Sequence, residues 1–137
     1  MTDTLSAPAV DTLTQLRAIE DPAELEARLV ASAKALREDL IAAAPEAEKL
    51  THIPPHIERK LEDAGLYRMF IPREHGGLEV APSTFAKVVI EIAKGDMGMA
   101  WNFCLAANHA LMLANWFPVE IHEEVYDGGL FKAASMY

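Results

Sequence analysis

The stretch WNFCLAANHALMLANWF, residues 101–117, carries no Asp, Glu, Lys or Arg and holds His109 at its centre. The uncharged run extends from residue 97 to residue 119, which is long enough for a bilayer crossing of about 20 residues. It nevertheless contains three asparagines, and each amide would need a hydrogen-bonding partner in hydrocarbon. We therefore predict a buried helix at the centre of an all-α fold rather than a membrane helix.

Composition places the chain among single globular domains. Its 137 residues are 51% hydrophobic and 24% charged, so that a core can form without disulfides or a structural metal. The formal net charge of -9 disfavours nucleic acid and anionic membranes as partners, because both would repel the chain. Cys104 is the one cysteine, which excludes an intrachain disulfide and favours a reducing cytoplasm.

The first twenty residues have no basic segment followed by an apolar run, so they do not resemble a signal peptide. We expect residues 1–20 to form a flexible leader. Asp21 then caps a long amphipathic helix that is expected to end near Pro45. A shorter helix follows from Pro54 or Pro55 to the C-capping Gly65.

Prolines and glycines predict a loop over residues 67–83, with at most a short extended piece at 69–71. A third helix is predicted from Thr84 to Lys94, a fourth from Met97 to Trp116, and a fifth from Pro118. Residues 21–130 thus form a helical domain. The final residues, 131–137, are typical of the start of a β-strand without a partner in the sequence. The chain is therefore expected to be the N-terminal part of something longer.

Polar side chains on the fourth helix are organised into a stripe. At 100° per residue, the polar residues and both tryptophans share one sector of about 140°. The members of this sector are Trp101, Asn102, Asn108, His109, Asn115 and Trp116.

Two interpretations of the stripe remain open. Its polar groups could satisfy neighbouring helices, as buried polar groups generally must. Alternatively, the stripe could face a ligand cavity with tryptophan walls, where His109 serves as a base or hydrogen-bonding group. No metal site is predicted, since Pro54 and Pro55 interrupt the spacing between His52 and His56. His75 lies in a turn, and the glutamates around His122 indicate a solvated face.

The stretches LEDAGLYRMFIPREHGGLEV (61–80) and VVIEIAKGDMGMAWNF (88–103) resemble the N-terminal helical domain of the acyl-CoA dehydrogenase superfamily. This resemblance implies an orthogonal helical bundle that leads into a β domain, with a helical bundle after it and usually a homotetramer. The principal flavin contacts would lie in those downstream domains, so the cofactor-binding residues are unknown and the chain alone is expected to be inactive.

Within that superfamily, the pattern of Trp101 and His109 resembles the flavin-dependent monooxygenases of two-component aromatic hydroxylases. Such enzymes take reduced FAD or FMN from a flavin reductase and hydroxylate a small aromatic substrate through a C4a-hydroperoxyflavin. The resemblance implies that His109 and Ser135 are catalytic and contact the substrate's phenolic oxygen. The further substrate-binding residues that we predict are Trp101, Asn102, Asn108 and Met112.

Two other functions stay open. In an FAD-dependent acyl-CoA dehydrogenase, the fourth helix would line the acyl chain of a thioester, and no role for His109 would follow. The chain could also be a non-enzymatic helical interaction module, although its strand-like end counts against that interpretation.

Overall fold

The computed structural model describes residues 11–126 and 131–133. Seven α-helices follow one another along these residues, with two short 3₁₀ turns, Leu66–Arg68 and Arg73–His75, between the fourth and fifth helices. The helices are α1 Thr12–Arg17, α2 Pro22–Ala35, α3 Arg37–Leu50, α4 Pro55–Asp63, α5 Pro82–Ala93, α6 Met97–Trp116 and α7 Val119–Val125. The described residues contain no β-strand, so the predicted all-α fold class is confirmed.

Helix α6 lies against the core along one face. Phe103 is fully buried, and its ring lies 5.0 Å from that of Tyr67 and 6.0 Å from that of Phe85, measured between centroids. Its start is fixed locally, because the side chain of Asp96 accepts a hydrogen bond of 2.7 Å from the backbone N–H of Met99. The predicted bounds of this helix, Met97 to Trp116, are those observed.

The long first helix of the sequence analysis is divided in the structure. Helix α2 ends at Ala35, and α3 begins at Arg37 and continues through Pro45 to Leu50. The expected end near Pro45 is therefore wrong. Pro45 lies on the exposed side of α3, where water can hydrate the carbonyl group left without a backbone donor.

Helix α1 lies inside the segment predicted to be a flexible leader, so the structure differs from the prediction there. Leu16 is 1% exposed, and its Cδ1 lies 2.9 Å from the position that a Cβ on Gly65 would take. Arg17 and Arg73 each donate to the backbone carbonyl of the other, at 3.1 and 3.0 Å. These contacts join α1 to the loop before α5. They connect residues that are far apart in the sequence, so local sequence does not predict them.

The loop between α4 and α5 also differs from the prediction. Met69 to Ile71, expected to be extended, form a compact turn, and Met69 has helical backbone angles. All three residues are buried, since the backbone folds back on itself. The N–H of Leu78 donates to Arg68 at 2.9 Å, and the N–H of Val80 donates to Met69 at 2.8 Å. Only residues 131–133 of the expected β-strand are described, and the predicted domain boundaries stay predictions.

Candidate functional site

The polar stripe of α6 lies away from the hydrophobic core. Trp101 and Trp116 are 65% and 71% exposed, and Asn102 and Asn115 are also exposed. The opposite face of the helix is buried; it consists of Met99, Ala100, Phe103, Ala107, Ala110 and Leu113. Helix α6 is therefore buried on one side and open on the other, whereas the sequence analysis predicted a buried helix.

Three members of the stripe bond to their own helix, each to the carbonyl four residues earlier. Asn102 Nδ2 donates to Gly98 at 3.0 Å, and Asn115 Nδ2 donates to Leu111 at 2.7 Å. The Nδ1 of His109 bonds to the Leu105 carbonyl in the same way. These three hydrogen bonds are made to the backbone of α6 itself and not to neighbouring helices.

The hydrogen bond of His109 assigns the tautomer of its ring. A carbonyl oxygen only accepts, so Nδ1 carries the proton in the neutral imidazole, and the lone pair lies on Nε2. The side chain is half-buried on α6. An imidazole held in this way can accept a proton at Nε2 without losing its anchor to the helix.

Asn108 and Met112 lie next to His109 on the helix, and both are partly buried. The Oδ1 atom of Asn108 is buried, and no donor among the described residues bonds to it. Because an unpaired buried acceptor is costly, a donor from outside the described residues would stabilise this oxygen.

Three surface cavities follow α6 from its beginning to its end. The first, of about 480 Å³, is lined by Ala44, Pro45, Ala47, Glu48, Thr51, His52, Asp96, Gly98, Met99 and Asn102. The second, of about 400 Å³, is lined by His52, Ile53, Glu58, Tyr67, Asn102, Leu105, Ala106, Lys132 and Ala133. The third, of about 360 Å³, lies near the end of the helix and includes Leu111, Asn115 and His122.

The structure brings some of the predicted site residues to these cavities and not others. Asn102 lines the first two. Trp101, Asn108, His109 and Met112 lie on α6 but are absent from the lining of the three cavities. Ser135 lies outside the described residues. The assignment of these residues to a site therefore stays a prediction.

The sequence analysis did not identify Tyr67 and Lys132 as members of a cavity wall. The ammonium group of Lys132 lies 4.4 Å from the centroid of the Tyr67 ring. Burial, with a smaller contribution from Glu58 and Glu62, raises the pKa of the Tyr67 hydroxyl far above its ordinary value, so it stays protonated. No local pattern connects these residues, because the contact joins distant parts of the chain.

At the end of α6, three aromatic side chains form a cluster. His122 is 5% exposed, with its ring 6.1 Å from that of His75 and 5.8 Å from that of Tyr126. Its Nε2 atom donates to the Leu113 carbonyl at 3.1 Å. The prediction of a solvated face at His122 is wrong, since the surrounding glutamates lie on the other side of the short helix α7.

We expect the substitution Tyr126→Phe to lower the free energy of unfolding by about 1 kcal/mol at neutral pH, because the hydroxyl donates to the Ala110 carbonyl at 2.6 Å. Burial raises the pKa of Tyr126 from 10.0 to about 12. The protonated Tyr126 hydroxyl therefore makes its full contribution to stability below pH 10, and this contribution is lost as the pH rises towards 12.

Urea denaturation at several pH values between neutral and about 12 measures both effects. The decline in stability above pH 10 should be shallower in the variant. Identical alkaline slopes in the two proteins would contradict this role of Tyr126.

Within the described residues, no three His, Cys, Asp or Glu side chains are arranged to hold a metal ion. In the same part of the chain, none of the helices combines the length and the apolar character that crossing a bilayer requires.

Burial raises the pKa of the half-buried Cys104 thiol, which disfavours the reactive thiolate.

Comparison with known families gives a match to the acyl-CoA dehydrogenase N-terminal domain over residues 23–117. This match covers more than half of the chain, which therefore belongs to that family. The resemblance inferred from the loop and helix motifs is confirmed.

Several relatives are hydroxylases or monooxygenases. The oxygenase component of p-hydroxyphenylacetate 3-hydroxylase from Acinetobacter baumannii is 32% identical over 83 residues, which are 61% of this chain and 19% of that protein. A pigment production hydroxylase from Rhodococcus erythropolis is 29% identical over 92 residues, or 67% of the chain and 23% of the relative. An indole-3-acetate monooxygenase from Pseudomonas putida is 31% identical over 75 residues, or 52% and 19%.

The matched segments are thus about a fifth of the length of these relatives. No solved structure gives a significant match to the chain. The similarity confirms the monooxygenase branch of the family as the one that this chain resembles.

Proposed function

We propose that this chain is the N-terminal helical domain of a flavin-dependent monooxygenase, the oxygenase component of a two-component system that hydroxylates a small aromatic substrate. The observation that carries the proposal is the open face of α6. This face presents Trp101 and holds His109 with its basic nitrogen at Nε2. The names of the relatives, all hydroxylases or monooxygenases, support the same reaction class.

In this proposal, His109 Nε2 accepts the proton of the substrate's phenolic hydroxyl, which raises the electron density of the ring for oxygen insertion. Trp101 supplies a flat apolar wall, and Asn108, next to His109 on α6, is proposed to contact the substrate. One atom of dioxygen enters the aromatic ring and the other leaves as water, with two electrons supplied by reduced flavin.

Ser135 is proposed to hold the same phenolic oxygen. The N–H of Ala133 donates to the Ala106 carbonyl at 3.3 Å, so residue 133 lies beside α6 within one helical turn of His109. The contact of residue 133 with α6, two positions before Ser135 in the sequence, supports this pairing.

The three cavities along α6 do not fit the phosphate of a flavin nucleotide. Carboxylates line each of the three cavities along α6, as Asp96 in the first, Glu58 in the second and Glu74 in the third illustrate. In the second cavity, Lys132 is already paired with Glu58. We therefore propose that reduced FAD or FMN, delivered by a partner flavin reductase, is bound mainly by segments outside the described residues.

The corner between α6 and α7 supports the proposal of further packing in a larger assembly. Trp116, Phe117 and Val119 are 71%, 52% and 62% exposed, and such a cluster of large apolar side chains is typical of an interface. A homotetramer that includes the downstream domains is the assembly we propose.

An acyl-CoA dehydrogenase is the second candidate, because the matching family carries that name. One assay separates the two functions. The full-length protein that contains this domain is combined with an NADH-dependent flavin reductase, FMN or FAD, and phenolic or indolic acetates under ¹⁸O₂, and the products are analysed by mass spectrometry. A parallel reaction contains acyl-CoA thioesters and an electron acceptor.

We expect one ¹⁸O atom in the aromatic product and no reduction of the acceptor by thioesters. Acceptor reduction with acyl-CoA and no oxygen incorporation would establish the dehydrogenase instead. If the full-length protein catalyses neither reaction, the enzymatic proposal is wrong and the helical interaction module remains.

A further inference from the structure

The corner between α6 and α7 combines exposed apolar side chains with a cavity. Trp116, Phe117 and Val119 are 71%, 52% and 62% exposed. Val119 also lines the third cavity, of about 360 Å³, whose wall includes the apolar side chains of Phe70 and Leu111. The exposed patch therefore continues into a recess that a large apolar side chain can enter. We call these five residues the corner surface.

Glutamates form a rim around the corner surface. Glu74 and Glu79 line the same cavity, and both are exposed. Glu120, also exposed, follows Val119 in the first turn of α7. The C-terminal end of α6 adds a partial negative charge at the same place, because the last carbonyl groups of a helix lack intrahelical donors. The rim therefore attracts a positively charged surface.

No lysine or arginine of the described cavity wall neutralises this rim. Residues 95–131 contain neither residue type. The guanidinium group of Arg73, in the loop beside the cavity, donates instead to the carbonyl groups of Arg17 and Ile19 at 3.0 and 3.1 Å. A surface that docks here therefore has to bring its own positive charge.

The described continuation of the chain does not cover the corner surface. The N–H of Ala133 donates to the Ala106 carbonyl at 3.3 Å, so segment 131–133 lies beside the middle of α6. Ala106 is about 15 Å along the helix axis from Trp116, at about 1.5 Å per residue. The corner surface thus stays open to another molecule.

Two copies of the corner surface do not suit each other. In a symmetric contact the same patch of both subunits meets, so the glutamates of one rim would face those of the other. Like charges that face each other across an interface oppose association. The complementary surface is therefore basic and apolar, and it differs from the corner surface itself.

We propose that the corner surface is a docking site for a neighbouring copy of the full-length protein, which contributes a different surface with an apolar centre and Lys or Arg at its edge. An apolar side chain of that copy fills the cavity, and its basic side chains meet Glu74, Glu79 and Glu120. An apolar centre within a polar rim is the usual anatomy of a protein interface. This inference rests on the homotetramer of the proposed function and specifies the chemistry of one of its contacts.

Two substitutions test this chemistry, each with a matched control. Glu74→Lys reverses a rim charge on a side chain that is 73% exposed, and Glu38→Lys makes the same change at an exposed position of α3 outside the cavity. Val119→Asp places a charge in the apolar centre, and Ile90→Asp does so on α5 at a residue that is 55% exposed. All four residues are exposed, so we expect the fold to be retained, and circular dichroism checks this.

The first measurement is the dissociation constant of the subunits of the full-length protein, from analytical ultracentrifugation at about 50 mM and about 500 mM salt. We expect Glu74→Lys to raise this constant by about tenfold at the lower salt concentration and by less at the higher one, because salt screens the attraction. Val119→Asp should raise it by at least about tenfold at both. The two control variants should match the unaltered protein.

The second measurement reports directly on the corner surface. Hydroxyl-radical footprinting of the full-length protein measures how fast Trp116 is oxidised in the oligomer and after dilution to the monomer. We expect Trp116 to be oxidised about tenfold more slowly in the oligomer than in the monomer, since docking buries its ring. Val119→Asp should remove this protection, and Ile90→Asp should keep it.

The outcomes distinguish the possible occupants of the corner surface. Association that strengthens with salt or with Glu74→Lys would show that two acidic corners meet, and it would overturn the basic partner surface. Protection of Trp116 that persists in the monomer would show that the same chain covers the corner, and rapid oxidation in the oligomer would show that the subunits meet elsewhere; either result overturns the inference.

A full-length protein that stays monomeric would overturn this inference together with the proposed homotetramer. The oxygen-labelling assay would still decide the monooxygenase reaction, because that assay does not depend on the corner surface.

Discussion

Replacement of His109 by alanine is expected to lower kcat for hydroxylation by about 10²- to 10⁴-fold, which is the usual contribution of a positioned general base. The variant loses the Nε2 lone pair that is proposed to accept the phenolic proton, and it also loses the bond between Nδ1 and Leu105. Product formation per NADH oxidised, measured with the flavin reductase over a range of pH, checks this expectation.

Two variants separate the chemical role of His109 from a structural one. His109→Asn can still donate from its amide to the Leu105 carbonyl but has no basic nitrogen, so we expect it to be as inactive as the alanine variant. His56→Ala removes a histidine whose side chain is 52% exposed and should hydroxylate normally. Normal hydroxylation by His109→Ala, with an unchanged pH profile, would rule out the proposed role.

The substitution Gly77→Ala should be the most damaging single change to stability. An added Cβ would lie 1.8 Å from the carbonyl oxygen of Ile71 and 2.3 Å from its carbonyl carbon. Both contacts are with backbone, so no side-chain rotation relieves them. We expect a loss of at least about 3 kcal/mol in the free energy of unfolding, measured by urea denaturation.

The reason lies in how tightly the loop before α5 is folded. Gly77 donates to the Pro72 carbonyl at 3.0 Å, and Glu79 donates to the Ile71 carbonyl at 3.1 Å, so the backbone on both sides is held in place. Gly98→Ala is the control, since a Cβ there would meet only the side chain of Asp96 at 3.3 Å. We expect that variant to stay within about 1 kcal/mol of the unaltered protein. Equal stability of the Gly77 and Gly98 variants would contradict the argument.

The helices whose ends carry local signals were predicted well. Helix α4 begins at Pro55 and is followed by Gly65 in a left-handed conformation, and α6 begins after the capping Asp96, as the sequence indicated. Such signals act within one turn of helix, so a single sequence contains all the information they need.

The break between α2 and α3 could not be predicted in this way. Leu36 interrupts the helix without a proline or glycine, and the apolar spacing continues across the interruption. The helix instead follows its packing partners, since Leu29 of α2 and Leu40 of α3 are both fully buried in the core. Burial of apolar area outweighs the small cost of a local break.

The candidate site likewise combines features that the sequence predicts with features that only packing determines. The sequence by itself determined that Asn102, His109, Asn115 and the two tryptophans share one side of α6, because the 3.6-residue repeat of a helix fixes their directions. It also determined the family, through the motifs on either side of Gly65 and Asp96.

Only the tertiary structure decided which side of α6 faces the core and which contacts complete the site. The bonds of the stripe to its own helix depend on side-chain conformation, and the burial of His122 depends on how α7 folds back onto α6. The pairing of Lys132 with Glu58 joins residues 74 positions apart. Such contacts are selected by the packing of the whole chain, and no local rule of helix spacing or capping contains them.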